Sequence, residues 1–226
     1  MEHGGKRSFD LVVGADGLHS KVRRLVFGPQ DRFERRLGYM DAAFETIGYW
    51  PRDEDVYVIY SAPGRTVGRV TLRDDCTLFL FVFTVDGVAH TTLPDPPRQK
   101  AMPRARFGDE AWECPRILNA LDRTTDLYFD RVSQIRMPKW SHGRIVLVGD
   151  AAYYVSLVAG QGSALAMTGA FVLAGELTRA SGRHVEGHAN YEKALRLFIN
   201  AKQRGAERLL GPSCPRHGAA YICAIK

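Results

Sequence analysis

The sequence predicts an α/β (α+β) fold, in which an antiparallel sheet is inserted into a parallel-sheet domain and helices follow at the carboxyl end. Two short, mainly apolar runs each pass through a turn into a helical pattern, which is typical of parallel strands: Phe9 with Leu11–Val13, and residues 144–148. Between them, residues 37–85 alternate β-branched and aromatic segments with turn sequences, which predicts an antiparallel meander. Two long helical patterns follow the second run.

The first strand is predicted by FDLVVGADG at residues 9–17, where an apolar run ends in a tight turn. A helix is expected to begin near residues 19–20, because Val22, Leu25 and Val26 have helical spacing. The meander follows as YVIYS, TVGRVTL and TLFLFVFTV. The last of these strands is apolar on both faces, which predicts a central strand covered on both sides.

The second half of the chain begins with LPDPPRQKAMPR, which predicts a proline-rich connection. A short helix over 112–121, a strand over 126–137 and a buried strand over 144–148 are expected next. Long helices are predicted from about 160 to 180 and from 187 to 209, the second with an amphipathic stripe. Residues 211–226 have no clear period and are expected to be irregular.

Composition limits the function classes. The 226 residues have ordinary globular proportions, with a net charge of +6 and a pI near 9.2, so anionic ligands are favoured. The basic residues are scattered and do not alternate with aromatic residues, which argues against nucleic-acid binding. The four cysteines have no metal-ligand or disulfide spacing, so we expect no metal site and reduced thiols in the cytoplasm. The start has no apolar signal segment, so secretion is not indicated.

Residues 151–175 carry no charge and allow three interpretations. The length would suit a membrane span, but the glycines and polar residues make a membrane-anchored protein the distant third choice. A core helix explains Leu165 and Phe171. It does not explain why a strand ends in Asp150 and is followed by Gly-Gln-Gly at the start of a helix. Glycines at a helix N-terminus admit an anion, so a nucleotide or phosphate site is also expected.

Two motifs carry a family resemblance. GDAAYYVSLVAGQGSALA, residues 149–166, resembles the second flavin motif of the FAD-dependent aromatic-hydroxylase-type monooxygenases. DLVVGADGLHSKVRR, residues 10–24, resembles their Asp-Gly motif. The order and separation of the motifs also match. The sequence departs from the family pattern at Tyr153, where the family has His, and at Leu157, where it has Pro. Helix positions that are often Asn and Asp are Ala164 and Gly169.

The resemblance implies a cofactor site made of eight residues: Gly149, Asp150, Gly160, Gln161, Gly162, Asp16, Gly17 and Arg23. Asp150 would bind ribityl or ribose hydroxyls of FAD, and the Gly-Gln-Gly segment would offer backbone N–H groups near the flavin ring and phosphate. Asp16 and Gly17 would lie near the pyrophosphate and take part in NAD(P)H use. From the residues alone, Asp16 is a turn aspartate and Arg23 belongs to a solvated helix face.

The implied function is an FAD-dependent monooxygenase that hydroxylates an organic, aromatic substrate with NAD(P)H and O₂. The substrate would lie against the antiparallel sheet, and the expected wall residues are Tyr49, Tyr57, Tyr60, Phe81 and Phe83. For each one, ordinary sheet core is the alternative. No catalytic residue, metal, membrane or nucleic-acid partner is assigned.

Such enzymes begin with a strand–Gly-x-Gly-x-x-Gly–helix unit, and nothing in this sequence fits it. We therefore expect an incomplete FAD-binding domain at residues 1–36 and 126–210, and a substrate-binding antiparallel sheet domain at 37–125. FAD binding by this chain alone is expected to be weak or absent. The alternatives are a catalytically inactive fragment, or one half of a split flavoprotein whose partner is the missing N-terminal half.

Overall fold

The computed structural model describes residues 7–85, 93–213 and 220–225. The chain forms two compact units. The first contains the residues up to Arg35 together with Ser133–Ala206, and the second contains Arg36–Val132 and the residues from Glu207 onward. Each unit has its own hydrophobic core.

The elements, in chain order, are β1 Val12–Gly14, α1 Lys21–Val26, β2 Glu34–Ile47, β3 Tyr57–Ala62, β4 Arg65–Thr71, β5 Cys76–Thr84, α2 Pro96–Phe107, α3 Cys114–Arg123, β6 Tyr128–Ile135, β7 Ser141–His142, β8 Ile145–Leu147, α4 Asp150–Tyr153, α5 Gly162–Arg179, α6 His184–Ser213 and β9 Tyr221–Ile225. The predicted fold class, with a parallel strand pair, an antiparallel sheet and C-terminal helices, is confirmed.

The first unit is built on a small sheet with the strand order β1-β8-β7. β1 and β8 are parallel, with Gly14 opposite Leu147, and the Val148 N–H donates to the Gly14 carbonyl at 3.0 Å. Because carboxyl ends of parallel strands meet at one edge, the turns carrying Asp16 and Asp150 leave the sheet side by side. Among the described residues, no helix is both long and apolar enough to cross a bilayer.

The second unit contains a six-stranded sheet with the order β6-β2-β5-β4-β3-β9. β5 is central, as predicted, and its phenylalanines at 79, 81 and 83 are fully buried in a core shared with α2 and α3. On the other face of β5, Val82 is buried and Leu78 and Leu80 are partly buried. One face is therefore fully covered, as predicted, and the other is covered in part.

The segment predicted as a proline-rich connection is instead helix α2. Asp95 is its N-cap, and the Asp95 carboxylate accepts a hydrogen bond from the Arg98 N–H at 3.2 Å. Pro96 and Pro97 occupy the first turn, where a backbone N–H has no helical partner and proline is well tolerated. The prolines therefore mark the start of a helix.

The tail differs from the predicted irregular segment in one part. Tyr221–Ile225 forms β9, which pairs antiparallel with β3 at the edge of the sheet. All five of its residues are exposed, so the apolar pattern that normally identifies a strand is uninformative here. Residues 214–219 of the tail lie outside the described residues.

Candidate functional site

The Asp-Gly motif forms a turn that caps helix α1. The Asp16 carboxylate accepts hydrogen bonds from the Ser20 hydroxyl at 2.5 Å and from the Val22 N–H at 3.0 Å. Burial alone would raise the pKa of Asp16, but these hydrogen bonds outweigh it and lower the pKa. Gly17 adopts a φ of +78°, and in the described part of the chain nothing beyond its chain neighbours lies within 4 Å of the position of an added Cβ. Asp16 thus holds the turn, while Gly17 leaves open space beside it.

Arg23 joins the two motifs. Its side chain is fully buried, and its guanidinium donates to the Ala151 carbonyl at 2.9 Å and to the Leu18 carbonyl at 2.5 Å. Burial lowers the pKa of Arg23. The solvated helix face expected from the residues alone is therefore wrong. Because the guanidinium donates hydrogen bonds to backbone carbonyls of both motifs, Arg23 fixes the position of α4 relative to the first motif.

Asp150 begins α4 and lies next to the start of α5. Gly149, just before it, has a φ of +63°, and an added Cβ would lie 3.0 Å from the Cβ of Ala166. The Asp150 carboxylate is half-buried and makes no hydrogen bond within the described part of the chain, and burial raises its pKa. One of its oxygens lies 3.8 Å from where a Cβ of Gly162 would be.

No described side chain caps the N-terminus of α5. Gln161, at the N-cap position, makes no capping hydrogen bond, and the first turn contains no acidic residue. Gly160 is left-handed with a φ of +61°, and no described residue beyond its chain neighbours lies within 4 Å of the position of an added Cβ. Unpaired N–H groups and positive partial charge therefore face a space beside an unpartnered carboxylate. This arrangement suits a ligand that presents both an anionic group and hydroxyl donors.

The loop before Gly160 is strained at a residue that the sequence analysis missed. Ser156 has φ +93° and ψ +144°, a region occupied almost exclusively by glycine. Its hydroxyl is buried and has no hydrogen-bond partner among the described residues. Leu157 follows it, where the family pattern has proline, and is 37% exposed. The altered sequence at Leu157 was the available signal that this loop has unusual geometry.

Tyr153 replaces the family histidine, and its environment explains a second departure. Its ring packs against Trp140 with a centroid distance of 4.6 Å, and its hydroxyl lies 3.3 Å from that of Tyr191. A Cβ added to Gly169 would lie 1.9 Å from the Tyr153 hydroxyl oxygen. The tyrosine therefore needs the glycine, and the two departures form one structural change.

Four of the five residues predicted to line a substrate wall lie instead in the core of the second unit. Phe81 and Phe83 contact Phe107 on α2, with centroid distances of 4.9 and 6.3 Å. The Tyr60 hydroxyl donates to Glu110 at 2.5 Å, and that of Tyr49 donates to Glu113 at 2.7 Å. These four residues therefore fit the alternative of ordinary sheet core, because their rings or hydroxyls contact neighbouring side chains.

Tyr57 lies on the opposite face of the sheet, because successive residues of a strand alternate between faces. Its hydroxyl sits over Gly68, where an added Cβ would come within 2.2 Å. Burial raises the pKa of Tyr57 to about 12.

Asp41, on β2, was missed by the sequence analysis although it interrupts an apolar strand. Burial and the nearby Asp130 raise the pKa of Asp41 to about 7.

A sequence profile described as FAD binding domain matches residues 4–203. The chain belongs to this family. It is 35% identical over 203 residues to a flavin-dependent monooxygenase of an unknown prokaryotic organism. This match covers 90% of this chain and 52% of the relative. A flavin-dependent monooxygenase of Legionella longbeachae is 34% identical, covering 87% of this chain and 50% of the relative. The predicted resemblance to FAD-dependent monooxygenases is confirmed.

Solved structures agree in fold. The tetracycline destructase Tet(55) is 34% identical with a TM-score of 0.79, covering 90% of this chain and 54% of the destructase. Klebsiella pneumoniae HpxO, solved with FAD and uric acid, is 22% identical with a TM-score of 0.63, covering 94% and 61%. The chain spans about half the length of the curated relatives it matches.

Proposed function

We propose that this chain is the flavin-facing part of a cytoplasmic monooxygenase that hydroxylates an aromatic substrate with NAD(P)H and O₂. The observation that carries the proposal is the position of the Asp150 carboxylate. It makes no hydrogen bond within the described residues and lies beside the uncapped start of α5, at the edge where β1 and β8 both end. Ligands of open parallel sheets bind outside this edge.

The residues at this edge fit a flavin nucleotide. Asp150 would accept hydrogen bonds from ribityl or ribose hydroxyls, and the N–H groups from Gly160 to Gly162 would approach the flavin ring and phosphate. Asp16 and Arg23 would act as positioning residues, because their polar atoms already hold the turn and α4. A bound flavin supplies the redox chemistry, which comprises acceptance of electrons from NAD(P)H and activation of O₂.

For the substrate we propose an aromatic compound that contacts the face of the sheet carrying Tyr57. Relatives named tetracycline destructases support an aromatic substrate class, at 33% and 34% identity. The assignment of the first unit to FAD binding and of the second to substrate binding stays a prediction. So does the use of NAD(P)H.

The direct test is equilibrium dialysis of FAD against the flavin-free chain. Weak binding is expected for the chain as it stands, and Asp150→Ala should weaken it about tenfold or more, because the hydroxyl groups lose their charged acceptor. Asp10→Ala is the matched control, since Asp10 is exposed before the amino end of β1. Equal FAD affinities for Asp150→Ala and the unaltered chain would contradict the proposed flavin contact. No binding by the chain alone would favour the split flavoprotein, and the same comparison would then be made on the complex with an amino-terminal half.

A second candidate function is one half of a split flavoprotein, and exposed apolar residues favour it. β1 is an edge strand with Val13 45% exposed, and α5 exposes Phe171 (81%) and Met167 (68%). Parallel sheets are normally paired and covered on both faces, and exposed apolar residues mark contact surfaces. We propose that the partner is a strand–Gly-x-Gly-x-x-Gly–helix unit.

Co-expression tests this candidate. The chain and the amino-terminal half of a flavin-dependent monooxygenase relative should co-purify with stoichiometric flavin. Phe171→Glu should abolish the complex. Leu197→Glu should leave it intact, because Leu197 is equally exposed (80%) but lies on α6. Complex formation that is insensitive to Phe171→Glu would exclude this surface, and flavin retention by the chain alone would remove the need for a partner.

A further inference from the structure

The outer face of α6 carries apolar side chains that the core of the first unit does not use. Ala194, Leu197, Phe198 and Ala201 are all exposed, Leu197 by 80% and Phe198 by 46%. These four residues form the α6 patch. Single exposed apolar residues are ordinary on a protein surface, whereas contiguous ones mark contact surfaces. The α6 patch is therefore a candidate interaction surface.

The spacing of the α6 patch is that of a helix-packing seam. Its members stand at positions i, i+3, i+4 and i+7, which is the pattern by which one helix packs against another. The inner face of α6 has a seam of its own, because Tyr191, Leu195 and Ile199 are buried in the core of the first unit. The helix thus has two apolar faces, and in the described part of the chain the outer one is uncovered.

Two cations without partners bracket the α6 patch. Lys193 precedes it and Arg204 follows it, and both side chains are exposed. Neither forms a hydrogen bond or an ion pair within the described residues. They are eleven residues apart, which corresponds to about 16 Å along the helix axis. A free positive charge therefore lies at each end of the apolar seam.

The other charged residues of this stretch already have partners. Glu192 is the one acidic residue in the sequence from 189 to 206, and it pairs with Arg196. The Lys202 ammonium lies over the Phe198 ring, 5.3 Å from its centroid. The unpaired charge around the α6 patch is consequently positive at both ends, with no carboxylate to neutralise it in the described stretch.

This combination distinguishes between possible occupants. A second copy of the chain would place cations opposite cations in either helix orientation, and like charges repel. A lipid surface favours helices with several large apolar side chains, whereas two of the four members of the α6 patch are alanine. Small side chains instead allow a second helix to approach closely. The chemistry of the patch therefore suits an acidic helix.

We propose that the α6 patch binds an amphipathic helix of a partner protein, whose carboxylates, about 16 Å apart, pair with Lys193 and Arg204. The apolar face of that helix covers Leu197 and Phe198, and this burial contributes most of the affinity. The ion pairs at the rim contribute mainly specificity and association rate. The inference does not depend on the proposed function, and the surface lies on a different helix from Phe171 of α5.

The test uses the full chain and a fluorescent synthetic helix with leucines on one face and two glutamates about three helical turns apart. Binding is followed by fluorescence anisotropy at constant ionic strength. The glutamate peptide should bind in a saturable way, and a matched peptide with glutamines should bind about tenfold more weakly. Leu197→Ser should also weaken binding about tenfold. Because Leu197 is exposed, the circular dichroism spectrum of this variant should be unchanged.

Charge reversal gives the sharpest comparison. Lys193→Glu/Arg204→Glu should lose the glutamate peptide and bind a matched peptide that carries lysines at the same two positions. Lys21→Glu/Arg24→Glu is the control, because it reverses the same number of charges on exposed residues of α1. Its affinity for the glutamate peptide should stay within about twofold of the unaltered chain.

Four results would overturn the proposal. The first two are failure of the glutamate peptide to bind, and equal affinities for the glutamate and glutamine peptides. The third is an unchanged affinity in Leu197→Ser. The fourth is binding of the chain to phosphatidylglycerol vesicles without binding to the peptide, which would assign the α6 patch to a lipid surface. Since no flavin takes part in these measurements, they are independent of the flavin site.

Discussion

Replacing Gly169 by alanine should destabilise the first unit through a single steric conflict. The new Cβ would lie 1.9 Å from the Tyr153 hydroxyl oxygen, about 1.5 Å short of the 3.4 Å at which ordinary contact begins. The ring cannot easily retreat, because it is 2% exposed and packs against Trp140. Overpacking of this kind costs about 1–3 kcal/mol, and loss of the hydrogen bond with Tyr191 costs about 1 kcal/mol more. We expect a loss of about 2–4 kcal/mol in unfolding free energy.

The assay is urea unfolding followed by circular dichroism, arranged as a double-mutant cycle with Tyr153→Phe. Without the hydroxyl, the closest atoms to the new Cβ are the ring Cζ at 3.2 Å and Val148 Cγ2 at 3.3 Å, which small shifts relieve. The double variant should therefore regain about 2 kcal/mol relative to additivity. Gly205→Ala is the control on α6, because no described residue outside the helix backbone lies within 4 Å of the added Cβ, and it should be neutral or stabilising. Additive losses in the cycle would refute the proposed coupling.

Three other variants test the buried polar groups and the strained loop. The folded state favours protonated Asp41, because its pKa is about 7 there and its ordinary value is 3.8. Its contribution to the free energy of unfolding is therefore present at low pH and is lost as pH rises towards 7. Asp41→Asn should remove up to about 3 kcal/mol of this pH dependence in urea unfolding between pH 5 and 8, and parallel curves would refute it. Arg23→Lys should cost about 2–4 kcal/mol in unfolding free energy, because lysine cannot serve both the Ala151 and Leu18 carbonyls; an unchanged melting temperature would contradict this. Ser156→Gly should stabilise by about 1 kcal/mol by relieving strain, whereas Ser156→Ala should not.

The sequence predicted the existence of most elements, since periodicity records burial. It could not predict which face of a strand meets the helices. Tyr57 and Tyr60 lie on one strand and have similar apolar neighbours in the sequence. In the structure the Tyr57 hydroxyl lies over Gly68, whereas the Tyr60 hydroxyl donates a hydrogen bond to Glu110. The deciding contact comes from the connection between α2 and α3, which lies 50 residues further along the chain. Strand β9 was not predicted for a related reason. All of its residues are exposed, so its pairing with β3 produces no alternation of apolar and polar residues in the sequence.

The two motifs are more informative together than apart because they form one structural unit. Each alone has an ordinary interpretation: Asp16 caps a helix, and a glycine-rich loop starts another. The structure connects them through Arg23, whose guanidinium crosses 128 residues of sequence to reach the Ala151 carbonyl, next to Asp150. If Arg23 acts by positioning, its variants should weaken FAD binding in proportion to their loss of stability. Asp150→Ala should weaken FAD binding with little change in stability, because its carboxylate makes no hydrogen bond within the described chain. Measuring both quantities for both variants separates the residue that holds the site together from the residue that we propose contacts the flavin.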